Sequence, residues 1–125
     1  MDRSVLDKAL DVLTLTDRKH PITRAQLQEQ LFDLCGVTIH ERDLQDVVLL
    51  LISEGHRVIS WTTGYWYFRG TAEDIEAAER AANTLSAHAD SEYAKADQMR
   101  KWCAEAKREH ERQAWRTAQQ AGLFA

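Results

Sequence analysis

The sequence predicts a mainly α-helical fold that contains one small β-hairpin and continues into a long helical extension. Apolar residues recur at three- and four-residue spacing in three segments of the first 54 residues. The spacing then changes to alternation between residues 56 and 68. Neither Gly nor Pro occurs between residues 72 and 120. The 125 residues therefore fit one globular domain followed by an extension.

End signals define the first two helices. Ser4 is a suitable N-cap for the first helix, which is expected to end near the polar run Thr16–His20. Thr23 is expected to begin the second helix, because Gln26 stands three residues later at the capping-box position. Gly36 is expected to end this helix, because glycine adopts the left-handed conformation that closes helices.

The third helix and the hairpin follow in order. The segment Val37–Ile39 is long enough only for a short strand. Glu41–Glu54 has the spacing of an amphipathic helix over its fourteen residues. His56–Trp61 alternates, Thr62–Gly64 has turn chemistry, and Tyr65–Phe68 forms an aromatic strand. Three helices closed by a hairpin, with a short strand before the third helix, is the order of a winged helix-turn-helix domain.

Thr71, with Asp74 three residues later, is the start signal of the extension. As one unbroken helix, the extension would be roughly 70 Å long at 1.5 Å per residue. Because residues 86–91 are its weakest helix formers, we expect a bend there and either a long helix or a helical hairpin. Two apolar stripes occur at helical spacing. The first is expected to pack on the winged domain: Ile75, Ala78, Ala82 and Leu85. The second suits close packing between two copies or within a helical hairpin: Ala96, Met99, Cys103, Ala106 and His110. The predicted division is a winged domain at 1–70, a helical extension at 71–119 and a docking peptide at 120–125.

Three segments carry a resemblance to a known group of proteins. Glu41–Leu44, Glu54–Ser60 and Gly64–Tyr65 resemble the third helix and wing of small winged-helix proteins encoded by bacteriophages and prophages. The pattern covers about residues 22–85. The resemblance implies a protein of DNA transactions in the bacterial cytoplasm or nucleoid.

In a winged helix, the start of the third helix enters the major groove and the wing contacts the DNA backbone. The candidate DNA-binding residues are Arg18, Lys19, Arg24, His40, Arg42, Gln45, Arg57, Thr62 and Thr63. Carboxylates at Glu41, Asp43 and Asp46 oppose this role, and the net charge of −4 argues against binding by bulk electrostatics. The sequence is therefore consistent with two partners for this surface, double-stranded DNA or another protein.

The last residues, Gln120 to Ala125, place two apolar side chains after a long charged segment. Gln120, Leu123 and Phe124 resemble the pentapeptide with which bacterial replication and repair proteins dock on the polymerase sliding clamp. Ala121 and Gly122 depart from that pattern. Alternatively, Leu123 and Phe124 fold back on the body as a contact at the helix end.

The sequence offers no catalytic or cofactor motif. Glycine-rich phosphate loops, Cys-x-x-Cys and His-Glu-x-x-His are missing, so we expect no enzyme, metal or cofactor. Cys35 and Cys103 are far apart, which favours a reduced cytoplasmic setting, and no signal peptide or apolar run of membrane-spanning length is visible.

Three functional hypotheses follow from these observations. The first is a phage-derived replication accessory protein that contacts DNA and docks on the sliding clamp. The second is a transcriptional regulator that forms a homodimer through the C-terminal helix, and the third is an adaptor or inhibitor of a host enzyme without DNA binding.

Overall fold

The computed structural model describes residues 2–61, 64–85 and 90–121, and its elements confirm a mainly α-helical fold with one hairpin. They are α1 (Arg3–Leu13), α2 (Arg24–Cys35), α3 (Glu41–Ser53), β1 (Val58–Trp61), β2 (Gly64–Tyr67), α4 (Ala72–Leu85) and α5 (Asp90–Gln120). The first three helices and the hairpin follow the order of a winged helix-turn-helix domain. The wing is an antiparallel pair in which Ile59 lies opposite Trp66.

The ends of α1 and α2 show how far local signals determine helix bounds. Asp2, and not the predicted Ser4, caps α1, because its carboxylate accepts the Ser4 N–H at 3.0 Å and suits the positive end of the helix dipole. In α2, the predicted capping box between Thr23 and Gln26 is present. Gly36 closes α2 with a φ of 69°, as predicted.

The predicted short strand before α3 is wrong, and a strand residue lies before α2 instead. Residues 37–40 are irregular, and Gln28 Nε2 donates to the Ile39 carbonyl at 2.9 Å. Ile22 pairs with Tyr65 through two backbone hydrogen bonds of 2.9 and 2.8 Å. This pairing needs glycine at position 64, because a Cβ there would lie 2.0 Å from the Ile22 carbonyl oxygen. The edge of β2 is therefore tied to the start of α2.

α4 and α5 form an antiparallel helical hairpin, which was one of the two arrangements predicted. Arg100 Nη2 donates to Asn83 Oδ1 at 3.3 Å, Lys107 Nζ lies 2.5 Å from Glu79, and His110 Nε2 lies 2.8 Å from the Gly70 carbonyl. Later residues of α5 therefore lie against earlier residues of the chain around α4. Most residues of both stripes are buried, together with Ala81: Ile75, Ala78, Ala82, Ala96, Met99, Cys103 and Ala106. His110 is exposed, and α4 packs mainly on α5 and less on β1 of the winged domain, because the hairpin covers its apolar face. The bend was predicted at residues 86–91, and residues 86–89 of that range lie outside the described residues.

The hairpin shares a single hydrophobic core with the winged domain. Asp74 in the first turn of α4 is buried, and its carboxylate accepts the backbone N–H of Arg69 at 2.7 Å. On α5, Glu105 accepts from Arg57 at 2.9 Å. The two helices thus pack on the base of the wing, which fixes the direction in which α5 leaves the body.

The last third of α5 contacts little of the remaining described structure. Trp102 is 4% exposed, whereas Trp115 on the same helix is 52% exposed. Residues 111–117 are all exposed, and seven consecutive residues cover almost two turns, so none of the helix faces is packed there. We call residues 111–120 the projecting end of α5.

Candidate functional site

Three elements meet at one end of the winged domain, which we call the recognition end. Arg24 in the first turn of α2 lies 3.0 Å from Glu41 in the first turn of α3. Gly64, where the wing turns, lies against the backbone of Ile22 and Thr23. The starts of α2, α3 and β2 therefore lie at one surface.

The charge of the recognition end is close to neutral and slightly acidic. The surface carries Arg24 and Arg42 together with three exposed carboxylates of α3: Glu41, Asp43 and Asp46. Phosphate contacts supply most of the affinity of DNA-binding proteins, and carboxylates at the same surface repel phosphate. The charge of this surface therefore does not favour binding to the phosphates of duplex DNA.

Two of the predicted base-reading residues are nevertheless available. The side chains of Arg42 and Gln45 are exposed, and no hydrogen bond or ion pair joins either to another described residue. His40 is the N-cap of α3 and makes no capping hydrogen bond through its side chain. Arg42 and Gln45 have the bidentate geometry that reads guanine and adenine edges.

The predicted cations of the α1–α2 loop face a different element. Arg18 Nε lies 3.6 Å from the Asp74 carboxylate at the start of α4, and the exposed Lys19 lines a cleft beside Glu73. The structure therefore places these two residues against α4 and not at the start of α2.

Arg57 lies at the base of the wing, away from the recognition end. It precedes β1, and the neighbouring residue His56 donates its backbone N–H to the Leu51 carbonyl near the end of α3. The thirteen residues of α3 separate the two ends by roughly 18 Å at 1.5 Å per residue. Arg57 is paired with Glu105 and lies over the ring of Phe68 at 5.9 Å.

The remaining predicted DNA-binding residues, Thr62 and Thr63, lie outside the described residues. The structure thus brings Arg24, His40, Arg42 and Gln45 together, and it engages Arg18, Arg24 and Arg57 in internal ion pairs. These pairs join residues up to 56 positions apart (Arg18 and Asp74), so no local sequence pattern reveals them.

The predicted partner-binding segment begins at the projecting end. Gln120 is the last residue of α5 and is exposed, and the Ala121 N–H donates to the Thr117 carbonyl at 3.0 Å. Leu123 and Phe124 lie outside the described residues. Gln120 is thus displayed at the tip of a helix that has left the body.

Sequence reasoning missed a groove between α1 and α2, which has a volume of about 480 Å³. Its walls include Val12, Leu15 and Pro21 from the end of α1 and the loop, and Glu29 and Asp33 from α2. Leu15 is 86% exposed, the most exposed of the large apolar side chains in the described chain. The available signal was an apolar residue between two threonines just after a helix end.

Within the described part of the chain, no group of three or more metal-binding side chains comes together, and no helix has the length and apolar character to cross a bilayer. The chain matches no protein-family model, no curated protein and no solved structure.

Proposed function

We propose that this protein is a non-catalytic adaptor that docks on the bacterial sliding clamp through Gln120, Leu123 and Phe124. The observation that carries the proposal is the exposed position of Gln120 at the projecting end of α5. Ten residues of helix place Gln120 about 15 Å from the packed part of α5. A cleft on a partner therefore has access to Gln120 without contact with the body.

The chemistry of the segment suits a peptide that enters a pocket. A glutamine side chain offers two donors and an acceptor, which fix the register of a peptide, and leucine and phenylalanine supply apolar area to bury. Such short anchors contribute most of the affinity of an interface when they fill a pocket. The resemblance to prophage proteins agrees with a role beside the replication machinery of a bacterial host.

The test is binding of purified sliding clamp to the full chain, measured by calorimetry. We expect the double substitution Leu123→Ala with Phe124→Ala to weaken binding at least about 30-fold, the loss typical of a hot spot. Gln120→Ala should weaken it less. The matched control is Gln119→Ala, one position earlier, which should bind as the unaltered chain does.

Equal clamp affinity of the unaltered chain and the Leu123→Ala, Phe124→Ala variant would refute the docking peptide. Absence of any clamp binding by the unaltered chain would show that the sliding clamp is not the partner. Circular dichroism should show the same helix content in all variants, because Leu123 and Phe124 follow α5 and alanine at positions 119 and 120 favours helix.

Weak DNA contact is the second candidate function, and it is favoured by the exposed, unpaired Arg42 and Gln45 at the recognition end. A clamp-docked adaptor would hold these side chains at a high effective concentration near DNA, so weak contact suffices. In a salt-titrated binding assay, Arg42→Ala should weaken binding, whereas the matched control Arg57→Ala should not. Lack of DNA binding even at low salt would leave a purely protein-binding adaptor.

A further inference from the structure

The groove between α1 and α2 is lined by apolar and polar side chains, and two carboxylates stand at one side of it. Leu15 and Pro21 expose apolar surface in it, and Glu29 and Asp33 stand on its α2 side. These two carboxylates are four residues apart, so they lie one above the other on the same helix face. Neither forms a hydrogen bond or an ion pair with another described residue.

The projecting end of α5 has the complementary pattern. Trp115 is 52% exposed and lies next to Arg112 and Arg116, which are also four residues apart and exposed. At 100° per residue, both arginines fall within about 100° of Trp115 on the same side of the helix. The arginine pair therefore has the same axial spacing as the pair Glu29 and Asp33.

The helix exit and the groove are neighbours on the surface. The guanidinium of Arg69 donates to the carbonyls of Thr14 and Thr16, which flank Leu15 at the groove. The adjacent residue Gly70 contacts α5, because its carbonyl lies 2.8 Å from His110 Nε2 just before the projecting end. Residues 111–117 and Leu15 are nevertheless exposed, so the projecting end does not fill the groove of its own chain and a second copy can supply a helix end to it.

We propose that the groove between α1 and α2 binds the projecting end of α5 from a second copy of this chain. Trp115 enters beside Leu15, and Arg112 and Arg116 pair with Glu29 and Asp33. Arg112 gives up its exposed pair with Glu109 in this contact. Exchange in both directions produces a closed dimer with two equal contacts. The contact is distinct from clamp docking, because it uses residues 112–116 and leaves Gln120 and the following residues outside the groove.

The test is the oligomeric state of the full chain by sedimentation equilibrium across a range of salt concentrations. We expect a dimer at low salt whose dissociation constant rises with ionic strength, because the paired charges lie at the rim. Charge reversal of the groove (Glu29→Lys with Asp33→Lys) or of the helix end (Arg112→Glu with Arg116→Glu) should each produce a monomer. Mixing the two reversed variants should restore a one-to-one heterodimer.

Trp115→Ala should raise the dissociation constant of the dimer roughly 30-fold. The matched control, Glu73→Lys with Glu76→Lys on the exposed face of α4, applies the same charge change and should leave the dimer intact. A monomer at low salt, a dimer that survives either reversal, or reversed variants that fail to combine would overturn the proposal. Deletion of residues 121–125 should abolish clamp binding and preserve the dimer, which separates the two proposals.

Discussion

The two halves of α5 each contain one tryptophan but have different surroundings. Residues 95–106 carry most of the buried side chains of the helix, and they pack on α4 and on the base of the wing. Residues 111–120 are helical but exposed on every face. An isolated helix of ten residues is marginal in water, so the second half depends on the first for its structure. The comparison separates residues that stabilise the fold from residues that are displayed for a partner.

The largest expected difference between the two halves is in hydrogen exchange of their backbone amides. In monomeric protein at high salt, the amides of residues 97–106 should open only with the whole fold, whereas those of residues 114–120 should fray. We expect at least about a thousandfold slower exchange in the first group, equivalent to about 4 kcal/mol. Comparable protection in both groups would mean that the projecting end is packed, and mass spectrometry of peptides resolves the two groups.

Replacing the one tryptophan in each half of α5 by alanine compares the two halves through their effect on stability. Trp102→Ala removes a side chain that is 4% exposed, and we expect it to lower the free energy of unfolding by about 3–5 kcal/mol. Trp115→Ala on the same helix should change the free energy of unfolding of the monomer by less than about 1 kcal/mol. Urea denaturation at high salt measures both. A large loss for Trp115→Ala would contradict its exposed position.

The sequence predicted the helices well where one local signal determines each end. The capping box of Thr23 and Gln26 and the closing Gly36 correctly defined α2, because those groups bond to backbone a few residues away. It failed for the short strand, because the Ile22–Tyr65 pair joins residues 43 positions apart and depends on the missing Cβ of Gly64. The acidic character of α3 was visible from the start, but the pairing of Arg57 with Glu105 required the docked hairpin.

The next smaller expected effect is the difference in reactivity between a cysteine in the packed half of α5 and one in the projecting end. Burial raises the pKa of the Cys103 thiol from 9.0 to about 11, and nearby Glu79 adds to the shift. At pH 8, well below both values, a rise of two units lowers the thiolate fraction about a hundredfold. In a Cys35→Ser background, Cys103 should therefore react with a thiol reagent at least a hundredfold more slowly than a cysteine introduced by Ala114→Cys. Similar rates would show that the packed half of α5 opens readily.

The smallest expected effect concerns two ion pairs of α5. Arg57 and Glu105 are partly exposed and join the packed half to the wing at 2.9 Å. Arg112 of the projecting end is more exposed and pairs at 2.6 Å with Glu109, three residues earlier on the same helix. Double-mutant cycles should give a coupling of up to about 1 kcal/mol for the first pair and about 0.3 kcal/mol or less for the second. Both couplings should fall in 1 M salt, where the screening length is about 3 Å. A stronger coupling for Arg112 with Glu109 would require that the projecting end be held against the body, and the distinction between the two halves would then be wrong.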